Sequence, residues 1–431
     1  MDNYDWANMR KRIARLARRG ALRDKKLILF GATLIAGEIN ACLLERGLTL
    51  SGIIDNDHRK IGAVCQGLPV QSPDGALLPY DSDAAVLIFS GGFYREMTSQ
   101  LVRLGYARDR QIFILNTKAD ESLPIMASRL ARVLRGLAAY RKLAGRLTGR
   151  GTVFVAPYSG TGDIYLIGLF FSEYLQQKAI KDYLFLVVNG ACAKVAAMFG
   201  IGNIVVTRPT TIDSLILCHT FLRADWPLVE LNDGWGRETS QWLRGCKGLN
   251  FEKMFRYLVF GFDSNAPHRP PSPGDHRRAI DALFQRHGLR QGKTVVLSPY
   301  SNTLFGLPDD LWQNIVRHCV SLGYTVCTNC AGQREKPVAA TPGIFFPLDQ
   351  AVAFVEAAGF FIGARSGLCD IISAAACRKI ILYDRSVLFY ASSQIAYFSL
   401  GQMGLGNDAI EIEYSDATRA QCLETILAAL S

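Results

Sequence analysis

Residues 153–171 read Val153-Phe-Val-Ala-Pro-Tyr-Ser-Gly-Thr-Gly-Asp163-Ile-Tyr-Leu-Ile-Gly-Leu-Phe-Phe171. A β-branched and apolar run leads into a Gly-rich turn, and an acidic residue then opens an apolar helix. That order puts a carboxylate at the carboxyl edge of a parallel sheet, where α/β proteins bind their ligands. The pattern returns much later as Gly359-Phe-Phe-Ile-Gly-Ala-Arg365-Ser366-Gly367-Leu-Cys-Asp370-Ile-Ile-Ser-Ala-Ala-Ala376. Here the turn offers helix N-terminal amides, a hydroxyl and an arginine, groups suited to holding phosphate. A base in one half and a phosphate cradle in the other point to group transfer from a nucleotide-linked donor.

A chain of 431 residues is too long for one ordinary core, so two or three domains are expected. Its 49% hydrophobic and 20% charged content is that of a globular protein and excludes a disordered one. The charge is uneven: residues 1–150 hold 24 Lys+Arg against 14 Asp+Glu, whereas residues 151–431 hold 24 of each. The whole excess of +10 therefore belongs to the front of the chain. Eleven cysteines without a repeating spacing, and no apolar segment behind a short basic start, suggest a reducing, cytoplasmic setting with free thiols. No stretch approaches the roughly 18 apolar residues of a spanning helix.

Three α/β series follow one another. Residues 1–25 form a basic amphipathic helix, with Trp6, Met9, Ile13 and Leu16 at helical spacing among arginines. Residues 26–118 alternate strands (Lys26–Phe30, Leu50–Asp55, Ala84–Ser90, Gln111–Leu115) with helices. A second basic helix fills 119–150, with seven basic residues from Arg129 to Arg150 and no acidic one. Residues 151–264 form the next α/β unit. The segment 265–275 is a linker, because its crowded prolines cannot continue helix or strand. Residues 276–431 form the last unit, with strands at Thr294–Ser298, Thr325–Asn329, Phe360–Gly363 and Lys379–Tyr383 and helices at Leu311–Leu322, Ala351–Ala358 and Cys369–Ala376.

Each motif has two readings. In the turn Gly160-Thr161-Gly162-Asp163, Asp163 is either a general base drawing a proton from an acceptor hydroxyl or an N-cap pairing the exposed amides of a first helical turn. Arg365-Ser366-Gly367 either grips a diphosphate or begins a capped helix beside an exposed arginine. Cys327-Thr-Asn-Cys330 has metal-like spacing but no second pair, so a buried thiol pair is expected in place of a zinc site. His268 and His276 flank the linker and are expected in solvent. No carboxylate cluster argues for a bound metal.

Taken together, residues 151–431 resemble the GT-B glycosyltransferases of the lipopolysaccharide heptosyltransferase type. Gly162-Asp163 matches the Gly-Asp before that family's first helix. Ser301, Pro308, Asp309, Asp310 and Trp312 fall in the register of its second half, Leu348-Asp349 loosely matches the acidic-Leu helix that follows, and Gly363-Ala-Arg-Ser-Gly367 loosely matches its Gly-x-Asp-Thr-Gly turn. The resemblance implies two Rossmann-like units facing across a cleft, Asp163 as the base, and a donor site holding Ser301, Asn302, Arg365, Ser366, Gly367 and Asp370. The chain departs from the family where it meets the donor. The phosphate-binding lysine falls near Phe305 and the family's arginine near Asn302, the Asp of Asp-Thr-Gly is Arg365, and the following His is Asp370. Arg365 is expected to replace the lysine.

The segment Gly31-Ala-Thr33-Leu-Ile-Ala36-Gly37 with Asp55 imitates a dinucleotide fingerprint, but Thr33 stands where the second glycine belongs. This front domain is similar to Rossmann-like domains that precede sugar-modifying enzymes of surface-polysaccharide pathways. Gly31, Thr33, Ala36 and Asp55 either line a second nucleotide site or belong to a scaffold. The basic helices either meet an anionic membrane at its inner face, pack on a partner, or are solvated faces; nucleic acid is not expected, since few aromatics interleave them.

The expectation is a metal-independent, inverting glycosyltransferase. It would use a nucleotide-diphosphate sugar as substrate, require no cofactor, and glycosylate a glycan, glycolipid or protein acceptor held on the side of Gly160, Thr161 and Gly162. The alternatives are a non-catalytic scaffold of a glycan-assembly complex and an NAD(P)-dependent sugar-modifying enzyme acting through residues 26–118.

Overall fold

In the computed structural model, described residues are 6–33, 35–58, 60–90, 93–108, 110–115, 123–148, 151–222, 226–232, 249–272, 274–301, 307–332, 335–384, 388–389 and 392–430. The chain divides into two compact units, one of residues 1–130 with 234–248, the other of 131–233 with 249–431.

The first unit begins with α1 (Trp6–Arg18), then β1 (Lys26–Phe30), α2 (Ala36–Leu44), β2 (Leu50–Ile54), β3 (Val64–Cys65), β4 (Leu68–Gln71), α3 (Pro73–Leu77), β5 (Ala84–Ile88), α4 (Tyr94–Arg103) and β6 (Ile112–Ile114). Its sheet runs β3-β4-β2-β1-β5-β6, parallel apart from the β3–β4 pair. Every residue of β5 is buried, as a parallel strand covered on both faces requires. The chain leaves β1 to add β2 on one side and β5 on the other, so a topological switch lies above Phe30 and Ile88. The apolar side of α1 is already used here: Met9 and Ile13 are buried, and Arg10 pairs with Glu38 of α2 at 3.1 Å.

Helix α5 (Leu123–Ala144) leads into the second unit, which holds two sheets. The first contains β7 (Thr152–Val155), β8 (Tyr183–Val187), β9 (Ile204–Val206) and β10 (Leu228–Glu230), joined by α6 (Thr161–Gln177), α7 (Gly190–Met198) and α8 (Pro209–Leu222). Its order is β10-β7-β8-β9, all parallel. A helical stretch at Phe251–Val259 ends in a π-helical turn over Met254–Val259. After α9 (Arg277–His287) comes the other sheet, built from β11 (Thr294–Ser298), α10 (Asp309–Ser321), β12 (Thr325–Asn329), β13 (Gly343–Ile344), α11 (Ala351–Ala358), β14 (Gly359–Ala364), α12 (Gly367–Ile371) and β15 (Arg378–Asp384). A short pair β16 (Leu388–Phe389) and β17 (Ser392–Ser393), α13 (Gln394–Phe398), β18 (Ala409–Tyr414) and α14 (Arg419–Leu430) complete it. Its order is β13-β12-β11-β14-β15-β18, again parallel throughout.

The two Rossmann-like sheets expected from 151 onward are thus separate sheets, while one apolar cluster runs through both. It includes Phe154, Ile167 and Phe171 from the first and Phe354, Phe361 and Ile381 from the second. Helix α6 is buried on all sides from Ile164 to Phe171, which explains why its sequence lacks a polar face. The linker is strapped down: Arg269 N–H donates to Leu169 O, and its guanidinium meets Glu173 of α6 at 2.7 Å. Helix α12 is shorter than the expected 369–376. Ser373 N–H turns back to Asp370 O and Ala375 N–H to Ile372 O, the tightened bonding of a helix end.

Candidate functional site

The loop after β7 is fixed by its neighbours before α6 begins. Asn189 Nδ2 donates to Ser159 O, the Cys192 thiol to Tyr158 O, and Tyr158 Oη to Asn232 Oδ1 at 3.2 Å. The last contact joins the loops after β7 and β10, the switch point of that sheet. Burial, with Asp163's charge as a smaller contribution, pushes Cys192 up to about 12, so its thiol braces the loop in neutral form.

Asp163 is not the N-cap. Gly160 is, with extended backbone and no side chain to cap with, and Asp163 stands three residues on, half-buried. Its carboxylate lies directly over Gly160, where a Cβ would overlap Asp163 Oδ2. An acid at this third position still suits the positive end of the helix. The glycine is therefore needed by the acid, and the cap alternative is replaced by a milder first-turn role.

On the facing sheet the switch point lies between β11 and β14. Ser301 follows β11, half-buried, beside Tyr300, whose hydroxyl donates to Lys336 O and draws the lysine-bearing loop after β12 toward the same rim. Asn302 and Phe305 lie outside the described residues. After β14, Ser366 is half-buried and caps α12 without using its hydroxyl on a backbone amide; its Oγ makes a loose 3.8 Å contact with Cys369 Sγ.

Arg365 does something other than expected. It is buried and turned inward, with Nη2 on Asp370 Oδ1 at 2.6 Å, Nη1 on Asp370 Oδ2 at 3.1 Å, and Nε on Phe398 O at 2.9 Å. Nη1 also reaches Ser366 O. In this arrangement the guanidinium holds a loop together and does not reach out as a phosphate's counter-charge. The reason is its partner five residues on: a carboxylate as buried as Asp370 demands a matched cation. Burial pushes the Asp370 carboxyl up while Arg365 pulls it down.

The two loops meet. Gly162 and Gly367 touch backbone to backbone: a Cβ on Gly162 would overlap Asp370 Oδ2 and come within 3.1 Å of Gly367 Cα, and one on Gly367 would lie 2.5 Å from Gly162 N. Of the residues singled out in sequence, Gly160 to Asp163 and Ser366 to Asp370 are therefore brought together. Several neighbours were missed. Tyr383 and Glu411 hold the Phe398–Leu400 loop that receives Arg365: Tyr383 Oη lies 3.0 Å from Phe398 O and donates to Glu411, which also accepts from Ser399 Oγ and Leu400 N–H. Tyr165 is buried beneath the seam, and burial above all pushes it up to about 12. The one sequence signal for any of these was the acidic alternation of β18, Ala-Ile-Glu411-Ile-Glu-Tyr.

In the first unit the fingerprint residues close on themselves. Asp55 Oδ2 accepts Ala32 N–H at 2.8 Å and pairs with buried Lys60 at 2.9 Å, and Lys60 also donates to Ala32 O. The carboxylate that would meet a ribose is thus already engaged. Gly31 has a positive φ, Ala36 begins α2, and the Thr33 hydroxyl is buried with no hydrogen-bond partner among the described residues.

His268, expected in solvent, is instead half-buried between Glu252, at 2.8 Å, and the ring of Phe170, since Arg256 gathers the linker carbonyls of Asp263 and Ala266 around it. Cys327 is buried and Cys330 partly so, both free thiols. Among the described residues no group of three or more His, Cys, Asp or Glu is placed to hold a metal ion.

No protein-family model matches the chain, and no curated protein matches it. Solved structures do. It is similar to the glycosyl transferase family 9 protein of Veillonella parvula DSM 2008, at 14% identity and a TM-score of 0.42, over 65% of this chain and 97% of that one. It is similar to the ADP-heptose lps heptosyltransferase II of E. coli, at 14% identity and 0.43, over 65% and 98%. The dodecameric iron-containing glycosyltransferase TibC of enterotoxigenic E. coli H10407 matches at 15% and 0.37, over 56% and 60%. At these identities the likeness is one of fold.

Proposed function

We propose that the chain is a glycosyltransferase that moves a sugar from a nucleotide-diphosphate donor to a glycan, lipid-linked or protein acceptor with inversion, Asp163 acting as general base. One observation carries this reading: the acid-bearing first turn of α6 abuts the start of α12, so the switch points of two parallel sheets converge on one place. In a single displacement the base takes the acceptor's proton while the acceptor oxygen attacks the anomeric carbon and the diphosphate leaves. On this reading the leaving group lies against Ser366, Gly367 and Ser301. Arg365 and Asp370 position that loop without touching the donor, and the acceptor lies beside Gly160 to Gly162. The scheme needs no metal.

The inward turn of Arg365 favours a second reading, a scaffold of a glycan-assembly complex that has kept the fold and lost its cation. A thermal-shift series over nucleoside diphosphates and their sugars separates the two, because any true donor stabilises the folded protein by mass action. With the donor so found, Asp163→Asn should keep its fold and donor affinity while turnover falls about 10²–10⁴-fold. Turnover at the parent rate would remove Asp163 as the base. No shift with any nucleotide would leave the scaffold.

A further inference from the structure

Of the two basic helices, α1 spends its apolar side inside its own unit, whereas α5 buries one side and keeps leucines on its outward side as well. The outward residues of α5 recur at helical spacing and mix leucines with cations: Leu134 is 56% exposed and Leu130, one turn earlier, 55%, while Arg135, Arg141 and Lys142 are exposed on the same face. Neither α5 nor the turn after it contains an acidic residue to offset them. The inward face is committed to α8. Gly136 packs so tightly there that a Cβ would lie 2.6 Å from Cys218 Cβ, and Leu143 shares a core with Ile212 and Leu215. Further along α5, Tyr140 stacks on Trp226, just past the end of α8, with 4.2 Å between ring centroids, so the later residues of α5 lie toward the end of α8. Arg141, Lys142 and the last turn of α8 therefore lie toward the same end of the pair. That last turn exposes Phe221 (65%) and Leu222 (43%).

We propose that this end of the α5–α8 pair docks on an anionic lipid surface, Phe221 and Leu222 entering the boundary of the acyl chains while Arg141 and Lys142, with Arg135 further along α5, meet the headgroups. Charge complementarity selects the occupant, since a basic helix with no acid of its own opposes an anionic sheet, and exposed leucine and phenylalanine beside it suit a lipid boundary better than a phosphate backbone. No described helix is long and apolar enough to cross a membrane, so the contact is one of lying on the surface.

The test is sedimentation of the full chain with vesicles of phosphatidylcholine alone or mixed with phosphatidylglycerol. Binding is expected only to the mixed vesicles, weakening with salt because such attraction is screened over about 10 Å. Arg135→Gln/Arg141→Gln/Lys142→Gln should weaken it on the order of a hundredfold. Phe221→Ser/Leu222→Ser should weaken it about tenfold even at low salt, with an unchanged melting temperature because both residues are exposed. Arg277→Gln/Arg278→Gln/Arg286→Gln makes the same charge change on α9 and should bind as the parent does. Absence of vesicle binding, or equal loss from the α9 variant, would overturn the proposal. So would an RNA duplex that competes fully while the serine variant binds like the parent, which would make the face a polyanion site.

Discussion

Two Gly-rich turns in this chain, one after β1 and one after β14, are braced alike and face different things. In each, a buried cation bonds a carbonyl of the turn and a carboxylate close by in sequence: Lys60 with Ala32 O and Asp55, Arg365 with Ser366 O and Asp370. Around β1 the carboxylate returns to the turn itself through Ala32 N–H, and the pair closes on its own unit. Around β14 the pair supports Gly367, and Gly367 lies against Gly162 of a helix from another sheet. A brace of one kind therefore closes on its own turn in the first case and supports a seam between two sheets in the second. What stands opposite decides which.

The comparison breaks most readily at the cations. Arg365→Ala leaves Asp370 buried and unpaired, which should cost about 3–5 kcal/mol of stability and reduce turnover together with it, because Ser366 and Phe398 lose their common donor. Lys60→Met should destabilise its own unit by a similar amount, about 3–5 kcal/mol, yet leave turnover per folded molecule at the parent level. Denaturation curves and donor turnover on the same samples check both. If Lys60→Met abolishes turnover as well, the front turn is part of the machine and the contrast fails.

A smaller effect sharpens the contrast at the glycines. Gly162→Ala drives a methyl into Asp370, and overpacking of this kind costs about 1–3 kcal/mol. Gly52→Ala, in β2 of the front unit, meets only Ile28 at an ordinary 3.8 Å and should stay within about 0.5 kcal/mol of the parent. Equal melting temperatures for the two variants would mean that the seam can open to admit the methyl.

The smallest effect concerns the strap. Hydrogen bonds from Arg269, then Gln177, hold the Glu173 carboxyl below its ordinary value. A carboxyl depressed by folding adds stability above its unfolded value and loses it as the pH falls through the folded one. Arg269→Ala should therefore lower the melting temperature slightly at neutral pH, and the gap between variant and parent should close as the solution is acidified. A gap that widens in acid would assign the strap to Arg269's packing and not to its charge.

The strand–turn–helix units were legible because apolar runs, turn glycines and helical spacing are local signals. Lys26–Phe30, Thr325–Asn329 and Ala351–Ala358 stand where the pattern put them. The β3–β4 pair escaped because each strand has two or four residues, too few for any period to register. Of the site, Gly162 and Asp163 were legible for the same local reason. The role of Arg365 was misread although Asp370 was already singled out, because an arginine after a strand looks alike whether it faces solvent or a buried carboxylate. The contact of Gly162 with Gly367 had no signal at all, since glycine carries no side chain to betray a partner so distant in sequence. His268 was misjudged because its burial depends on Glu252 and Arg256 folding back over the linker.

The bare contact of Gly162 with Gly367 also makes the chain its own gauge. With no side chain between them, the Gly162 amide is screened from water by the opposite backbone, so its hydrogen–deuterium exchange times the parting of the two halves directly. A donor that draws the halves together should slow exchange at that amide while leaving the amides of β5, deep in the other unit, unchanged.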